Sequence, residues 1–362
     1  MECDGEGFWY PNIDKNKCID CNICDQKCPS KNASIRESKK KAYACLNRNE
    51  DVRLRSSSGG IFSVIAEHIL NQKGVVFGAC FDENFNLRHD FVDNIIDLDK
   101  LRGSKYVQSK IGKSYKMTKK FLEEERLVLF VGTPCQIEGL RFYLSKDYKN
   151  LICCDFICHG VSSPKIWNKF ILEKQQKYNS KVKNVSFRDK NRGWKQYSMI
   201  LKFENNHVYN KDLNKDTMLR AYLSNICLRP SCYRCKYKTV DRASDLTFAD
   251  FWRVDDVYPN INDDKGISLL LINSEKGQNI FDNISDKIIS EKVDFINQVS
   301  NIETLTTSVK ENNNRSKFFK EVDDNNLEFV INKYCKIKVM NIIRFLIPRK
   351  IKLVIKNMKN KF

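Results

Sequence analysis

Several features that would assign this chain to a common class are missing from its sequence. There is no secretory signal at the amino terminus, no apolar run of about 18 residues and no long polar low-complexity segment. These absences argue against an exported, membrane-spanning or largely unfolded protein, so we expect a folded chain in the cytoplasm. At 362 residues, the chain is long enough for two or three domains.

Recognised nucleic-acid-binding motifs are also absent, although the formal net charge is +18. Much of this charge is lysine on a background rich in asparagine and isoleucine, which is typical of a solvated surface, so we expect no nucleic-acid partner. Cysteine, by contrast, is abundant, with 15 residues. In a chain without a signal peptide, these cysteines indicate metal binding rather than disulfides.

The densest cysteine motif lies near the amino terminus. Its residues have the spacing of a bacterial ferredoxin motif and end in a proline: Cys18, Cys21, Cys24, Cys28 and Pro29. This spacing predicts an iron–sulfur cluster, with a zinc site as the alternative. In two-cluster ferredoxins the cysteine before the proline binds the other cluster. Three arrangements therefore stay open: Cys28 closes this cluster, Cys28 serves another site, or Cys3 or Cys45 is the fourth ligand.

Two loops rich in small residues have the composition of a nucleotide site. The first, Ser57-Ser58-Gly59-Gly60, precedes a helical apolar segment from Ile61 to Leu70, and the start of a helix favours a phosphate. Capping of the helix explains the same loop without a ligand. The second loop places Ser104, Lys105 and Tyr106 together. It supplies a cation for a phosphate and a ring for a flat heterocycle.

A strand predicted over residues 127–131 breaks at a turn and continues as a helix over residues 137–144. The turn consists of Gly132, Thr133, Pro134, Cys135 and Gln136. We expect it at the carboxyl edge of a parallel sheet, where open α/β folds bind ligands. A thiol at the start of a helix should have a lowered pKa, which makes Cys135 a candidate catalytic residue. A small buried cysteine is the alternative interpretation.

A second group of cysteines lies further along the chain. The strand predicted over residues 151–157 ends at Cys158 and His159, and a later segment carries Cys227, Cys232 and Cys235. Three thiols so close together are hard to explain by packing. With Cys158, they predict a four-thiolate site for a second cluster, and zinc is again the alternative.

The carboxyl-terminal segment from Lys336 onward contains basic residues and no acidic ones, interleaved with apolar residues such as Ile342 and Phe345. This amphipathic pattern predicts contact with the surface of a membrane. Packing of the segment against the body of the protein, or against a partner, explains it equally well.

Together, these motifs resemble the coenzyme F420 hydrogenase/dehydrogenase beta-subunit family over roughly residues 5–300. The resemblance rests on both cysteine groups, the Ser-Gly loop, Gly103–Tyr106, Gly132–Gln136, Cys158–Val161 and Asp250-Phe251-Trp252. It implies an iron–sulfur flavoprotein that binds FAD between clusters and passes electrons to or from an organic substrate. Similar proteins accompany surface-polysaccharide synthesis. The chain departs from the family in lacking the first of two ferredoxin motifs.

The resemblance also implies roles for individual residues. FAD phosphates are expected on the Ser57–Gly60 loop with Lys105, and the Gly132–Gln136 turn along the edge of the flavin ring. His159 would be a proton donor near the substrate.

We therefore predict an α/β fold, with a mixed sheet flanked by helices and a small ferredoxin-like module. The expected domains are residues 1–45, 46–135 and 136–310, followed by a basic tail over residues 311–362. The predicted function is an oxidoreductase that relays electrons from a ferredoxin-like or other low-potential donor, through one or two 4Fe-4S clusters and FAD, to a small molecule. A non-catalytic electron-transfer subunit and a zinc-stapled binding module are the alternatives.

Overall fold

The computed structural model describes residues 1–32, 41–300 and 302–335. The strands are β1 (Glu2–Cys3), β2 (Trp9–Tyr10), β3 (Lys41–Asn47), β4 (Val75–Phe81), β5 (Leu87–Val92), β6 (Val128–Val131), β7 (Leu151–Phe156), β8 (Val182–Asp189), β9 (Ser198–Phe203), β10 (Val208–Asp212), β11 (Leu246–Asp250), β12 (Ser268–Ile272) and β13 (Ile288–Val293). The helices are α1 (Ile23–Gln26), α2 (Glu50–Arg55), α3 (Ile61–Asn71), α4 (Ser114–Glu123), α5 (Pro134–Leu144), α6 (Pro164–Tyr178), α7 (Thr217–Leu223), α8 (Val254–Val257), α9 (Glu275–Asn283), α10 (Glu303–Thr306), α11 (Arg315–Glu321) and α12 (Leu327–Tyr334). Short 3-10 turns occur at Ile96–Lys100, Pro230–Arg234, Pro259–Ile261 and Ser285–Lys287, and a π turn at Phe295–Val299.

The largest sheet has eight strands in the order β13-β3-β12-β11-β7-β6-β4-β5. Its four central strands, β11, β7, β6 and β4, run parallel to one another. The strands on either side of them are antiparallel. The sheet is therefore mixed, as predicted, and the carboxyl ends of its parallel strands meet at one edge.

Helices cover both faces of this sheet because side chains alternate along its strands. In β6, Leu129 packs in the apolar cluster that contains Ile65 of α3. The next residue, Phe130, packs in the opposite cluster with Phe121 of α4 and Ile137 of α5. The prediction of a sheet flanked by helices is confirmed.

A second apolar core lies around the three-stranded antiparallel sheet β10-β9-β8. Helices α6, α7, α11 and α12 pack there, and Trp167 of α6 is fully buried 4.9 Å from the ring of Phe187. This part of the molecule forms one wall beside the carboxyl edge of the large sheet.

The elements bounded by clear apolar patterns agree closely with expectation. The strands predicted over residues 127–131 and 151–157 occur as β6 and β7, each one residue shorter. The helix predicted over residues 137–144 begins earlier, at Pro134, because Thr133 and Gln136 form a capping box at its start. Strands from all three predicted domains enter the large sheet, with most of β3 from residues 1–45, and the domain boundaries themselves remain predictions.

Two expectations concern the relation to membranes. The basic tail from Lys336 onward lies outside the described residues. Among the residues that the structure describes, each helix is too short or too polar to cross a lipid bilayer.

Candidate functional site

A cleft of about 1830 Å³ opens at the carboxyl edge of the parallel strands. Single-ligand pockets commonly measure about 300–1,000 Å³, so the cleft has room for more than one bound group. Many of the residues chosen from the sequence line it: Cys28, Ser57, Ser58, Gly60, Ser104, Lys105, Tyr106, Gly132, Thr133, Pro134, Cys135, Gln136, Cys158, His159, Cys232 and Cys235. The other chosen residues lie elsewhere: Cys18, Cys21, Cys24, Gly59 and Cys227.

Four thiols meet on one side of this cleft, and we call them the cleft cysteines: Cys135, Cys158, Cys232 and Cys235. They come from the start of α5, from the residues after β7 and from the 3-10 turn that begins at Pro230. Burial and the neighbouring cleft thiols raise the pKa of Cys158. The same two causes raise the pKa of Cys232 to about 11. The four thiols are therefore electrostatic neighbours.

The structure does not bring Cys227 into this group. Its side chain is fully buried in the apolar core around β8–β10. Burial raises its pKa to about 12, and its neighbour there is Cys335. Cys135, which the sequence suggested as a catalytic residue, lies near Cys158, Cys232 and Cys235 instead. The order of the strands in the sequence was the signal that could have predicted this placement. Cys135 and Cys158 both follow parallel strands that end at the same edge of the sheet.

The expected lowering of the Cys135 pKa is not observed. Cys135 is exposed to the cleft, yet desolvation by the surrounding protein raises the pKa of its thiol, and the hydrogen bond with Thr133 only partly opposes the rise. A thiol with a raised pKa stays protonated near neutral pH, which argues against Cys135 as a free nucleophile.

The spacing of the thiols bears on which metal group could fit. Within residues 1–32, 41–300 and 302–335, no group of three or more Cys, His, Asp or Glu side chains closes around a single ion. Thiolate sulfurs around one zinc ion lie about 3.8 Å apart, given a tetrahedral site with Zn–S bonds of about 2.3 Å. Four thiols that face a shared cleft could also hold a wider group, such as an iron–sulfur cubane.

The amino-terminal motif is more open than the cleft cysteines. Cys18, Cys21 and Cys24 are exposed, and Cys28 is half-buried. Burial would raise the pKa of Cys28, but hydrogen bonds with Ser30 and Lys31 outweigh it and lower the pKa.

The two remaining candidates for a fourth ligand differ in accessibility. Cys45 lies fully buried in the core of the large sheet, on β3. Cys3 is exposed on β1. Cys28 and Cys3 are thus the accessible candidates among the described cysteines.

Tyr237 joins the amino-terminal motif to the cleft cysteines. Its hydroxyl donates to the carbonyl of Pro29, and the ammonium of Lys236 donates to the carbonyl of Ser30 at 2.6 Å. Burial raises the pKa of Tyr237, and Cys135, Cys235 and Cys28 all contribute to the rise. The phenol therefore lies between the two cysteine groups.

The two small-residue loops contact each other at the opposite side of the cleft. The Oγ atom of Ser57 accepts from the backbone N–H of Ser104 at 2.7 Å. Gly60 has a φ of 84° at the start of α3, a conformation that favours glycine. A Cβ atom at Gly59 would lie 2.4 Å from the carbonyl oxygen of Cys45, so Gly59 allows close backbone packing and does not face the cleft.

Lys105 has backbone partners in place of a free ammonium group. Its Nζ atom donates to the carbonyls of Arg102 at 2.8 Å, Leu101 at 3.2 Å and Gly103 at 3.3 Å. Burial lowers its pKa to about 8. The next residue, Tyr106, stacks on Tyr222 with ring centroids 4.4 Å apart, which gives the cleft a flat aromatic wall.

His159 lies at the same aromatic wall. Its Nε2 atom is 2.7 Å from Oδ1 of Asn225, and its ring centroid is 5.1 Å from that of Tyr222. Because the amide oxygen only accepts, Nε2 carries the proton and Nδ1 is the acceptor. Burial lowers the pKa of His159, so the ring is neutral.

A chain of hydrogen bonds that the sequence analysis missed begins at His89 and ends at Cys135. Nε2 of His89 donates to the carbonyl of Val131 at 3.1 Å, so Nδ1 accepts from Oγ of Ser109 at 2.8 Å. The Nε2 atom of Gln136 donates to Oγ of Ser109 at 2.9 Å, and its Oε1 atom accepts from the backbone N–H of Thr133. The Oγ1 atom of Thr133 lies 3.0 Å from the Cys135 sulfur. This chain fixes the orientation of the turn before α5.

Two buried arginines were also missed. Arg188 and Arg242 are 6% and 4% exposed, and both line the cleft. Arg188 pairs with Asp250 and Arg242 with Asp155. The sequence shows both cations, but their partners are 62 and 87 residues away in the chain, so no local pattern predicts them.

Comparisons with known proteins agree with the resemblance over part of the chain. Residues 125–297 match a family model that describes the carboxyl-terminal part of the coenzyme F420 hydrogenase/dehydrogenase beta subunit. This stretch contains all four cleft cysteines. A search of curated proteins gave no match.

A solved structure is also similar. It is the xenon-derivatised F420-reducing NiFe hydrogenase complex from Methanosarcina barkeri, one chain of which aligns with 83% of this chain and 94% of its own length. The identity is 15% and the TM-score 0.49.

Proposed function

We propose that this chain is an iron–sulfur flavoprotein that moves electrons between a protein donor and an organic substrate. The observation that supports this most strongly is the shared cleft, which is lined by the cleft cysteines, by Cys28 of the amino-terminal motif and by the two small-residue loops. When bound, iron–sulfur clusters carry single electrons and a flavin exchanges electron pairs with an organic molecule. The similarity of residues 125–297 to a hydrogenase/dehydrogenase beta-subunit family supports the same proposal.

Each part of the chain has a role in this proposal. The cleft cysteines hold one cluster, and the motif from Cys18 to Cys28 holds another near the surface. Tyr237 and Lys236 fix the amino-terminal segment against the cleft through the carbonyls of Pro29 and Ser30. The Tyr106–Tyr222 pair forms a flat wall for a ring system.

His159 is the proposed proton-holding group at that wall. Asn225 fixes its tautomer, so that Nδ1 is the acceptor. A role in surface-polysaccharide synthesis stays a prediction from the resemblance.

Anaerobic purification with analysis of iron, inorganic sulfide, zinc and flavin tests the proposal. We expect iron and sulfide in nearly equal amounts, bound flavin and little zinc. A colourless protein that holds zinc, without sulfide or flavin, would be a zinc-stapled module and would end the proposal.

A second candidate is an electron-transfer subunit that acts on no small molecule itself. The exposure of Cys18, Cys21 and Cys24 favours it, because a cluster held there would be open to a partner protein. Turnover of a small molecule by the purified chain with an artificial electron donor would exclude this candidate.

A further inference from the structure

One edge of the Arg188 guanidinium group is without a partner. Arg188 lies on β8, is 6% exposed and lines the cleft. Its Nη1 atom donates to Oδ2 of Asp250 at 2.5 Å. Its Nε and Nη2 atoms are buried and have no acceptor at hydrogen-bond distance in the described part of the chain. The Tyr106 hydroxyl lies near the guanidinium group, and burial raises the pKa of this phenol although Arg188 opposes the rise, so Arg188 still lacks an anionic partner on this edge.

Buried donors left without an acceptor are costly, so they indicate a group that is yet to bind. Nε and Nη2 lie on the same edge of the guanidinium plane, and their N–H groups point in parallel. Such an edge matches two oxygens of a carboxylate or phosphate.

The surrounding side chains hold this edge in place. The guanidinium carbon lies 4.6 Å from the ring centroid of Tyr197 and 5.0 Å from that of Trp252. Asp250 accepts from Trp194 with its other oxygen, at 2.9 Å. Asp250 therefore lies on the Nη1 side of the guanidinium group, and Nε and Nη2 have no acceptor there.

The local charge also favours an anion. Arg53 forms a two-point ion pair with Asp263, and Asp250 pairs with Arg188. Lys190 donates to backbone carbonyls, including that of Ser58 at 2.7 Å. Three cations therefore face two carboxylates. Burial, together with Arg188 and Arg53, lowers the pKa of Lys190 to about 7, which is the response expected where positive charge is in excess.

We propose that Arg188 binds, through Nε and Nη2, a phosphate or carboxylate group of a ligand in the cleft. Lys190 links this position to the Ser57–Ser58 loop through the carbonyl of Ser58. Arg188 thus takes the role that the sequence suggested for Lys105, whose ammonium group is held by backbone carbonyls. The anion comes either from the phosphates of a flavin nucleotide, which rests on the proposed function, or from an acid group of the substrate.

The test uses full-length protein with Arg188→Gln and Arg188→Lys. Arg253→Gln is the matched control, because Arg253 also lines the cleft but is exposed. Flavin-depleted protein is titrated with FAD, FMN and riboflavin, and flavin-loaded protein with inorganic pyrophosphate and malonate.

If the anion is a flavin phosphate, Arg188→Gln weakens FAD and FMN binding by about tenfold or more, from the loss of charge-assisted hydrogen bonds, and leaves riboflavin binding unchanged. If it is a substrate acid, all three flavins bind normally and pyrophosphate or malonate binding weakens instead. In either case Arg188→Lys keeps the charge but loses the two-point contact, so it recovers only part of the affinity. Arg253→Gln behaves as wild type.

Arg188→Gln leaves the partly buried Asp250 without its cation and could unfold the protein. The double variant Arg188→Gln/Asp250→Asn removes both charges, and near-ultraviolet circular dichroism checks its fold. Equal affinity of the folded Arg188 variants and the wild type for all five probes would overturn the inference. A protein that lacks sulfide and flavin, yet binds pyrophosphate in an Arg188-dependent way, would refute the proposed function and keep this inference.

Discussion

Both cysteine groups contribute to the same cleft, the amino-terminal group through Cys28 alone, but the chain holds them in different ways. The amino-terminal group lies on loops and on the single turn of α1, where three of its four thiols are exposed. The cleft cysteines follow strands β6 and β7 or belong to the turn beside them, and burial raises the pKa of at least three of them. One group has almost no packed structure of its own, and the other is built on the edge of a large sheet.

This difference indicates two relations between metal binding and folding. Where a segment has few apolar contacts, the binding free energy of the metal becomes folding free energy. Where the sheet already positions the thiols, binding adds little structure. If the two groups differ in this way, substitution of their cysteines and removal of the metal should affect them unequally.

The largest effect is expected from replacing a cleft cysteine. In Cys232→Ser, the cleft should lose its cluster, and iron and sulfide content should fall to about half if two clusters are present. Cys227→Ser is the matched control, because Cys227 is buried in the core away from the cleft, and it should keep its iron and sulfide. The assignment of the cleft cysteines as cluster ligands would be contradicted if Cys227→Ser loses as much iron as Cys232→Ser, or if Cys135→Ser loses none.

Removal of the metal should affect the two groups unequally. After chelation under reducing conditions, the backbone amides of residues 1–32 should exchange with deuterium about 100-fold faster. The amides of β6 and β7 should keep their protection, because the sheet holds them. Hydrogen exchange followed by mass spectrometry measures both regions in one sample. Equal loss of protection in the two regions would show that the cleft is not preformed.

Strong apolar patterns in the sequence predicted the strands of the large sheet that position the cleft cysteines. The runs at residues 127–131 and 151–157 predicted strands, which the structure contains as β6 and β7, and the turn after the first was expected at a ligand-binding edge. The position of Cys227 was not recognised, although Ile226 and Leu228 on either side indicate burial. The prediction gave more weight to the nearby Cys232 and Cys235 than to these apolar neighbours of Cys227.

Other features depend on contacts that no local pattern encodes. The sequence around Lys105 predicts a phosphate ligand. In the structure, its ammonium group donates to backbone carbonyls instead. His89 lies in a polar-looking strand, and only the packing of β5 beside β4 and the turn before α5 buries it. Such partners are set by the tertiary structure.

A moderate effect of pH is expected on the cleft side of the molecule. Burial lowers the pKa of His89 to about 4, whereas in the unfolded chain it is about 6.5. Between these values the unfolded chain binds a proton that the native state does not, so the free energy of unfolding falls as the pH falls. From about pH 7.5 to about pH 5, this single group should remove about 2 kcal/mol.

Urea unfolding of the metal-free protein at these two pH values measures the change. His89→Gln should lose less stability on acidification than the wild type, because its side chain does not titrate. The control is His68→Gln, since His68 is only partly buried. Identical pH dependence in wild type and His89→Gln would show that His89 is not the group responsible.

The smallest effect concerns the contact between the two groups. Tyr237→Phe removes one hydroxyl donor from the carbonyl of Pro29, and a typical hydrogen bond contributes about 1 kcal/mol net. Amides near Cys28 should then exchange about fivefold faster, while those of β6 stay unchanged. Tyr143→Phe is the control, because Tyr143 also lines the cleft and is 45% exposed on α5. If Tyr237→Phe changes exchange no more than this control does, then the amino-terminal segment is held by other contacts, such as Lys236 to Ser30, and Tyr237 does not join the two groups.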